Sequence, residues 1–382
     1  MKTFCSYYNQ SICRSCDLIT TDYTDQISLK EQKLREAFKD LNYPQLLDTI
    51  ISPEQGFRNK AKFSVTGTME NPIIGLTGDT NLDAGRELLE CSLHVPQINS
   101  FLPYLKKFIT MAGLVPYSIS EKKGELKGII AFYSNSSKEA YVRFILRSKE
   151  SIDRIRKHKD FLTSHIPELK CISVNIQPIP HAILEGEEEI FITETHSITH
   201  RLGNLNFSLG PRAFVQTNQA IATKLYETAA QWVKDSGQPQ FMELFCGQGA
   251  FSFFCAPSIV KGLGIEINEE AIKEANRTAT IQGFTNLSFK SADAEKVGDE
   301  IKAFRPDVIL VNPPRRGLGK SCDLILDFKP KMIIYSSCNY ETLASDLTRL
   351  SNDYTIERIQ IFDMFPHTSH FETLVQLRVK AG

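Results

Sequence analysis

Two apolar runs in the second half of the chain stop abruptly at polar residues, and they constrain the fold more than any other feature. Met332, Ile333, Ile334 and Tyr335 end at Ser336-Ser337-Cys338-Asn339, and Val308 to Val311 end at Asn312-Pro313-Pro314. Short buried apolar runs bounded by breakers read as central parallel strands. The surrounding residues continue the pattern. PQFMELFCGQGAFSFF reads as strand, glycine turn and helix, and KGLGIEINEEAIKEANRTATIQG reads as a strand followed by a helix from about Glu269. LSFKSADAEK is a further strand with a polar end, the C-terminal residues hold two more, and Asn218 can cap a helix running to about Val233. Alternating β and α signals imply an α/β, doubly wound parallel sheet of Rossmann type over residues 213–382. Ligands of such sheets bind just beyond the carboxyl ends of the strands. Cys338 and Asn312 are therefore expected at neighbouring strand ends facing one crevice. A cysteine there is either a small core residue or a nucleophile.

Residues 1–212 read differently. Strands are expected at Gly128 to Tyr133, Ala140 to Leu146, Ile172 to Gln177 and Ile190 to Thr195, and a polar helix from about Ser28 to Asp40. This half reads as an α+β domain with an antiparallel sheet. In GFRNKAKFSVTG, period-2 alternation places Arg58, Lys60 and Lys62 on one face and Asn59, Ala61 and Phe63 on the other. That strip is either a solvated face or a surface that contacts phosphates. A basic helix with Arg154, Arg156, Lys157 and Lys159 reads as an exposed face. The net charge of −1 argues against non-specific coating of nucleic acid, while leaving room for a local basic groove. MKTFCSYYNQ has no apolar core of a signal peptide, and no run is long enough to span a bilayer, so a cytoplasmic protein without a membrane partner is expected.

The nine cysteines are odd in number and unevenly spread, which does not fit a closed disulfide framework. Without an export signal, metal binding or catalysis is the better expectation. Cys5, Cys13 and Cys16 form a C-x7-C-x2-C pattern, and Cys91, beside an expected loop from Asn81 to Arg86, is the best fourth ligand. Four thiolates suit zinc or an iron–sulfur cluster, and spacing alone does not choose between them. The pattern differs from the C-x3-C-x2-C of radical enzymes.

Gly247 and Gly249 follow the first strand of the second half, where a ligand can approach the backbone at a helix start. The turn is not a phosphate-binding G-x-G-x-x-G, because Ser252 occupies the third glycine position. Glu266, near the end of the next strand, is placed to accept from ribose hydroxyls, and Asp293, past the third, to meet an adenine edge. Together they favour an adenosine cofactor without a pyrophosphate site, which S-adenosylmethionine fits best. A methyl donor combined with a thiol has a specific chemical use. Carbon 5 of a pyrimidine becomes nucleophilic only after a thiolate adds to carbon 6. A base must then remove the carbon-5 proton before the thiolate leaves. FPHTSHFETL offers Glu372, His367 and His370 for that second stage; the two histidines lack a nearby third metal ligand.

SSCN, VNPPR, ELFCGQGAF and FPHTSHFE resemble the RNA uracil-carbon-5 methyltransferase family, and the resemblance runs over nearly the whole chain. EQGFRNKAKF, VNIQP, PRAFVQTN and FDMFPHT resemble the bacterial branch that methylates uridine 747 of 23S ribosomal RNA. The resemblance implies that Cys338 is the nucleophile and Glu372 the base. It implies that Gln216, Phe245, Glu266 and Asn312 bind S-adenosylmethionine, and that Cys5, Cys13, Cys16 and Cys91 hold a [4Fe-4S] cluster. The substrate would be a looped or unpaired uridine, the protein a monomer, and the first half the RNA-recognition domain, since no N-terminal barrel precedes the cluster cysteines. Many relatives carry Asp where Asn312 stands and several carry Asn where Ala250 stands. Two other readings compete. An amino-group methyltransferase using N-P-P-x would normally have an aromatic residue where Arg315 stands, and leaves Cys338 idle. A cluster-bearing RNA-binding protein without activity leaves the strand-end residues unexplained.

Overall fold

The computed structural model describes residues 3–78, 81–179 and 185–381. The chain forms two compact units. Met1–Cys16 and Glu54–Arg212 make the first; Asp17–Pro53 and Ala213–Gly382 make the second. The earliest strand, β1 (Leu47–Ile50), belongs to the second unit and is described with it.

The first unit is built on β2 (Lys60–Gly67), β3 (Pro72–Leu76), β4 (Arg86–Glu87), β5 (Leu126–Ser134), β6 (Glu139–Leu146), β7 (Leu169–Ile176) and β8 (Glu188–Phe191), ordered β4-β3-β2-β5-β6-β7-β8. The expected antiparallel sheet is in fact mixed, because β7 runs parallel to β6. The helix Ile152–His165 joins those two strands and supplies the long crossover that parallel pairing requires. That helix and Pro96–Met111 bury Leu102, Leu105, Phe108, Ile155 and Leu162 in one core with Phe63, Phe144 and Val174. The alternation in GFRNKAKF is real. Asn59, Ala61 and Phe63 are buried, whereas Arg58 and Lys62 are exposed and Lys60 is half-buried. Arg143 on β6 is fully buried and held by Glu189 and Glu185, and Glu185 also takes Lys62 at 2.5 Å. A hairpin of β9 (Ile198–Leu202) and β10 (Leu205–Leu209) completes the unit.

The second unit carries β11 (Gln240–Leu244), β12 (Lys261–Glu266), β13 (Leu287–Ser291), β14 (Val308–Val311), β15 (Met332–Ser337), β16 (Tyr354–Phe362) and β17 (Glu372–Val379). Their order is β13-β12-β11-β14-β15-β17-β16-β1. From β13 to β15 the strands are parallel, with helices between them, as the alternating pattern requires. The far edge departs from the expected all-parallel sheet. β17 is antiparallel to both β15 and β16, and β1 lies parallel to β16. The connection 363–371 contains no helix, so β17 turns back along β16 and inserts beside β15. This insertion brings the start of β17 to the end of β15.

Residues 17–53, expected with the first half, pack instead with the second unit. The helix there spans Tyr23–Ala37, earlier than the expected Ser28 to Asp40, and Leu34 and Phe38 enter the core with Leu343, Leu347 and Leu350. Lys30, with its side chain fully buried, donates to Asp363 at 2.5 Å and to the carbonyl of Phe365 at 3.1 Å. Tyr23 donates to the other Asp363 oxygen at 2.7 Å. A buried ion pair of this kind tolerates loss of neither partner alone, because the survivor is left charged and unpaired. No helix among the described residues is long and apolar enough to cross a membrane.

Candidate active site

Four strand ends of the second unit supply the polar residues. β11 ends at Leu244, and Phe245 then takes a left-handed backbone conformation with φ of +62°. Such a conformation costs a residue with a side chain roughly 1–3 kcal/mol and is maintained only where surroundings impose it. The turn continues through Gly247 and Gly249, the latter at φ +80°, into the helix Ala250–Cys255. At Gly249 an added Cβ would come within 2.4 Å of the Phe289 ring. Beneath the turn, fully buried Glu243 accepts from the backbone N–H of Ser252 at 2.9 Å and from its hydroxyl at 2.5 Å. Ser252, noted in the sequence only as a missing glycine, thus ties helix to strand. Burial pushes the Glu243 carboxyl up to about 8.

Glu266 is the last residue of β12. Its carboxylate accepts from the N–H of Gly247 at 3.1 Å and from that of Asn268 at 3.0 Å. It therefore stands across the glycine turn, half-exposed, with acceptor capacity left over. Asn312 follows β14, with its N–H bonded to the Leu244 carbonyl at 3.4 Å. Gln216 is buried, two residues before the cap Asn218. Among the described residues, the side-chain amides of Asn312 and Gln216 have no hydrogen-bond partner. Asp293, read in the sequence as able to meet an adenine edge, also serves its own loop. Its carboxylate accepts from Glu295 N–H at 3.0 Å and pairs with Lys296 at 3.1 Å, closing its own loop.

Cys338 and Glu372 are brought together by strand register. β15 and β17 pair Ser336 with Leu374 and Ser337 with Thr373. One step further along the same register sets Cys338 opposite Glu372. Glu372 is 2% exposed, and its Oε1 accepts from the Ser336 hydroxyl at 3.1 Å. No cation among the described residues pairs with it; Arg316 pairs with Glu295 instead. Burial, weakly opposed by the Ser336 bond, raises the Glu372 carboxyl to about 7. The half-buried Cys338 thiol is held above its ordinary value by burial and by Glu372, and is pulled back down by Arg315. After Cys338, Asn339 caps the helix Tyr340–Leu350, and Tyr340 stacks on Phe371 with ring centroids 5.3 Å apart.

The two histidines of FPHTSHFE do different things. His367 is buried in a left-handed conformation with φ +63°. Its N–H donates to the Gln26 side chain at 2.8 Å, and its Nδ1 lies 3.1 Å from the Gln26 amide nitrogen. His370 is exposed. Lys30, Tyr23 and Gln26 thus grip the connection leading into Glu372. Sequence reasoning missed all three, since buried polar residues on a polar helix carry no periodic signal.

In the first unit, the Tyr7 hydroxyl accepts from the N–H groups of Leu89 at 2.9 Å and Glu90 at 3.2 Å, bringing residues 5–16 beside Cys91. Cys5, Cys13, Cys16 and Cys91 are all free and half-exposed or nearly so. The Cys16 thiol is pushed up to about 12, first by burial and then by Cys91, Cys13 and Cys5. Among the described residues no group of three or more His, Cys, Asp or Glu side chains is arranged to hold a metal ion.

The chain matches the tRNA (uracil-5-)-methyltransferase family over residues 22–380. It belongs to that family. It is an S-adenosylmethionine-dependent methyltransferase, with an α/β fold built on mixed sheets. It is 41% identical over 375 residues to the 23S rRNA (uracil(747)-C(5))-methyltransferase RlmC of Shewanella pealeana, covering 98% of each chain. To the protein of the same name from Escherichia coli O139:H28 it is 40% identical over 374 residues, 98% of this methyltransferase and 99% of that one. Its fold is shared with the Pyrococcus abyssi tRNA (uracil-54, C5)-methyltransferase, solved in complex with S-adenosyl-L-homocysteine. That comparison gives a TM-score of 0.78 at 24% identity, over 96% of this chain and 86% of that one.

Proposed function

We propose that this methyltransferase transfers a methyl group to carbon 5 of uridine 747 in 23S ribosomal RNA, as the names of its full-length relatives suggest. The observation that carries the reading is the register of β15 and β17, which extended by one residue sets Cys338 opposite the buried Glu372, a carboxylate with no cation partner among the described residues. S-adenosylmethionine supplies the methyl group. Glu266 is suited to the ribose hydroxyls, and the open amides of Gln216 and Asn312, with the left-handed turn at Phe245, suit the rest of that molecule. The Cys338 thiolate adds to carbon 6 of the uracil, and the electron pair moves toward the O4 carbonyl. Carbon 5 then takes the methyl group as the methyl–sulfur bond of the donor breaks, leaving S-adenosylhomocysteine. Glu372 accepts the carbon-5 proton, the pair of the broken carbon-5–hydrogen bond restores the carbon-5–carbon-6 double bond, and the carbon-6–sulfur bond breaks to release Cys338 as thiolate. The uridine must be out of its stack to reach the strand ends, so the target is looped or unpaired RNA. The first unit, with Arg58 and Lys62 exposed, is the RNA-recognition unit of a cytoplasmic monomer. An RNA containing 5-fluorouridine at the target tests the chemistry, because fluorine leaves no removable proton. The expected result is a covalent complex, stable in denaturant and lost in Cys338→Ala. Normal turnover on ordinary RNA with no adduct on the fluorinated one would overturn the reading.

The proton acceptor predicts a pH dependence. Glu372 acts only as the carboxylate, and its carboxyl titrates at about 7. Product release from the methylated adduct should rise roughly tenfold per pH unit below that value and level off above it. Single-turnover release rates between about pH 5.5 and 8.5 check this; a flat profile would remove Glu372 from the step.

We further propose that Cys5, Cys13, Cys16 and Cys91 hold a [4Fe-4S] cluster. The support is the donor chemistry, four thiols gathered closely enough for three of them to act on Cys16, although the described side chains are not arranged as a formed metal site. Bound there, the cluster would staple the N-terminal residues to the segment around Cys91. Protein prepared without oxygen should be brown and contain iron that is lost on replacing any of the four cysteines. Stoichiometric zinc without iron would contradict it.

A further inference from the structure

The loop after β14 presents a cation on a rigid mount next to Cys338. Gly317 N–H donates to the Pro314 carbonyl at 2.9 Å, closing a turn over Arg315 and Arg316. Gly317 sits at φ +86°, where a Cβ would come within 2.6 Å of Asp346 Oδ2. That same oxygen accepts from Leu318 N–H at 2.8 Å and from the buried Tyr335 hydroxyl at 2.7 Å. The Arg315 carbonyl accepts from Asn339 Nδ2 and from Thr342 Oγ1, both at 3.1 Å. Asn339 directly follows Cys338, and Thr342 is in the first turn of Tyr340–Leu350. The backbone of Arg315 is thus fastened to the peptide beside the thiol.

The neighbouring cation is used differently. Arg316 pairs with Glu295 at 3.0 Å. Arg315 is exposed and makes no ion pair among the described residues. Two charged groups act on the Cys338 thiol. Glu372 favours the protonated thiol and Arg315 favours the thiolate; the Tyr335 hydroxyl is the third titratable neighbour. We propose that Arg315 is a positioning residue that supplies the counter-cation for the Cys338 thiolate, from a loop clamped to the helix that begins after the thiol. This rests on the reading of Cys338 as the nucleophile. A guanidinium stays charged at any assay pH, and a cation near a thiol raises the thiolate fraction without touching the substrate.

The test is the pH profile of Cys338 alkylation by iodoacetamide, followed by peptide mass spectrometry in the full-length protein without RNA. Arg315→Gln removes the charge but leaves the carbonyl clamp, so folding is not at stake. Its alkylation midpoint should move to higher pH, lowering the rate near pH 7.5 by about three- to tenfold. Arg315→Lys should recover part of the shift, since it keeps a charge without the planar fork. Glu372→Gln should move the midpoint the other way. Methylation by Arg315→Gln should fall by the same factor as its alkylation. An alkylation profile unchanged in Arg315→Gln overturns the proposal, whatever happens to turnover. Failure of the nucleophile reading looks different, because Cys338→Ala would then still methylate.

Discussion

Cys338→Ala should bind S-adenosylmethionine with unchanged affinity and transfer no methyl group. The thiol lies at the end of β15, whereas the residues assigned to the cofactor come from the ends of β11, β12 and β14 and from Gln216. Removing Sγ therefore deletes the group that adds to carbon 6 and leaves the cofactor side intact. The uncatalysed alternative is attack by carbon 5 of an unactivated uracil, which is a poor nucleophile, so turnover should drop below detection. Calorimetric titration with S-adenosylmethionine and a methyl-transfer assay on target RNA separate the two effects. Undiminished turnover would remove the covalent step, and lost cofactor affinity would make Cys338 a packing residue.

Glu372→Gln should divide the reaction in two. Addition of the thiolate and methyl transfer need no base at carbon 5. Expulsion of Cys338 does, and an amide of nearly the same shape cannot accept the proton. General-base catalysis commonly contributes about 100- to 10,000-fold, so release should slow by that order. The variant accumulates methylated RNA joined to Cys338, seen as a slowly migrating band on a denaturing gel. The fold should not suffer. In the native protein the Glu372 carboxyl titrates at about 7 because the fold penalises its charge. Its folded-state value lies above the ordinary carboxyl value, so ionising it costs stability as pH rises past the unfolded value. A neutral amide avoids that penalty, up to about 3 kcal/mol at alkaline pH, offset by any change in the Ser336 bond. A folded variant that turns over at the wild-type rate would exclude Glu372 as the base.

The parts of this structure that were legible in the sequence are those fixed by local chemistry. The runs at 308–311 and 332–335 had to be buried strands because nothing polar interrupts them. Asn218 was readable as a cap because its side chain can accept from a helix N–H, as it does from Ile221. The reaction offered Cys338 with Glu372, His367 and His370, and the resemblance singled out Glu372; the juxtaposition of Cys338 and Glu372 depends on β17 inserting between β15 and β16. That insertion is a property of the connection 363–371, not of either strand's residues. The misplaced segment 17–53 has a matching cause. Lys30 and Gln26 are buried by partners more than 330 positions away, so their helix looks like a solvated surface helix. β1 is short and half-exposed and has no periodicity to read.

The most direct measurement is mass mapping of 5-methyluridine in 23S ribosomal RNA from cells with the gene, without it, and complemented by wild type or Cys338→Ala. The account predicts 5-methyluridine at position 747 in cells with the gene, unmodified uridine there without it, and restoration by wild type alone. A position 747 whose methylation is the same with and without the gene, or is restored by Cys338→Ala, would contradict it.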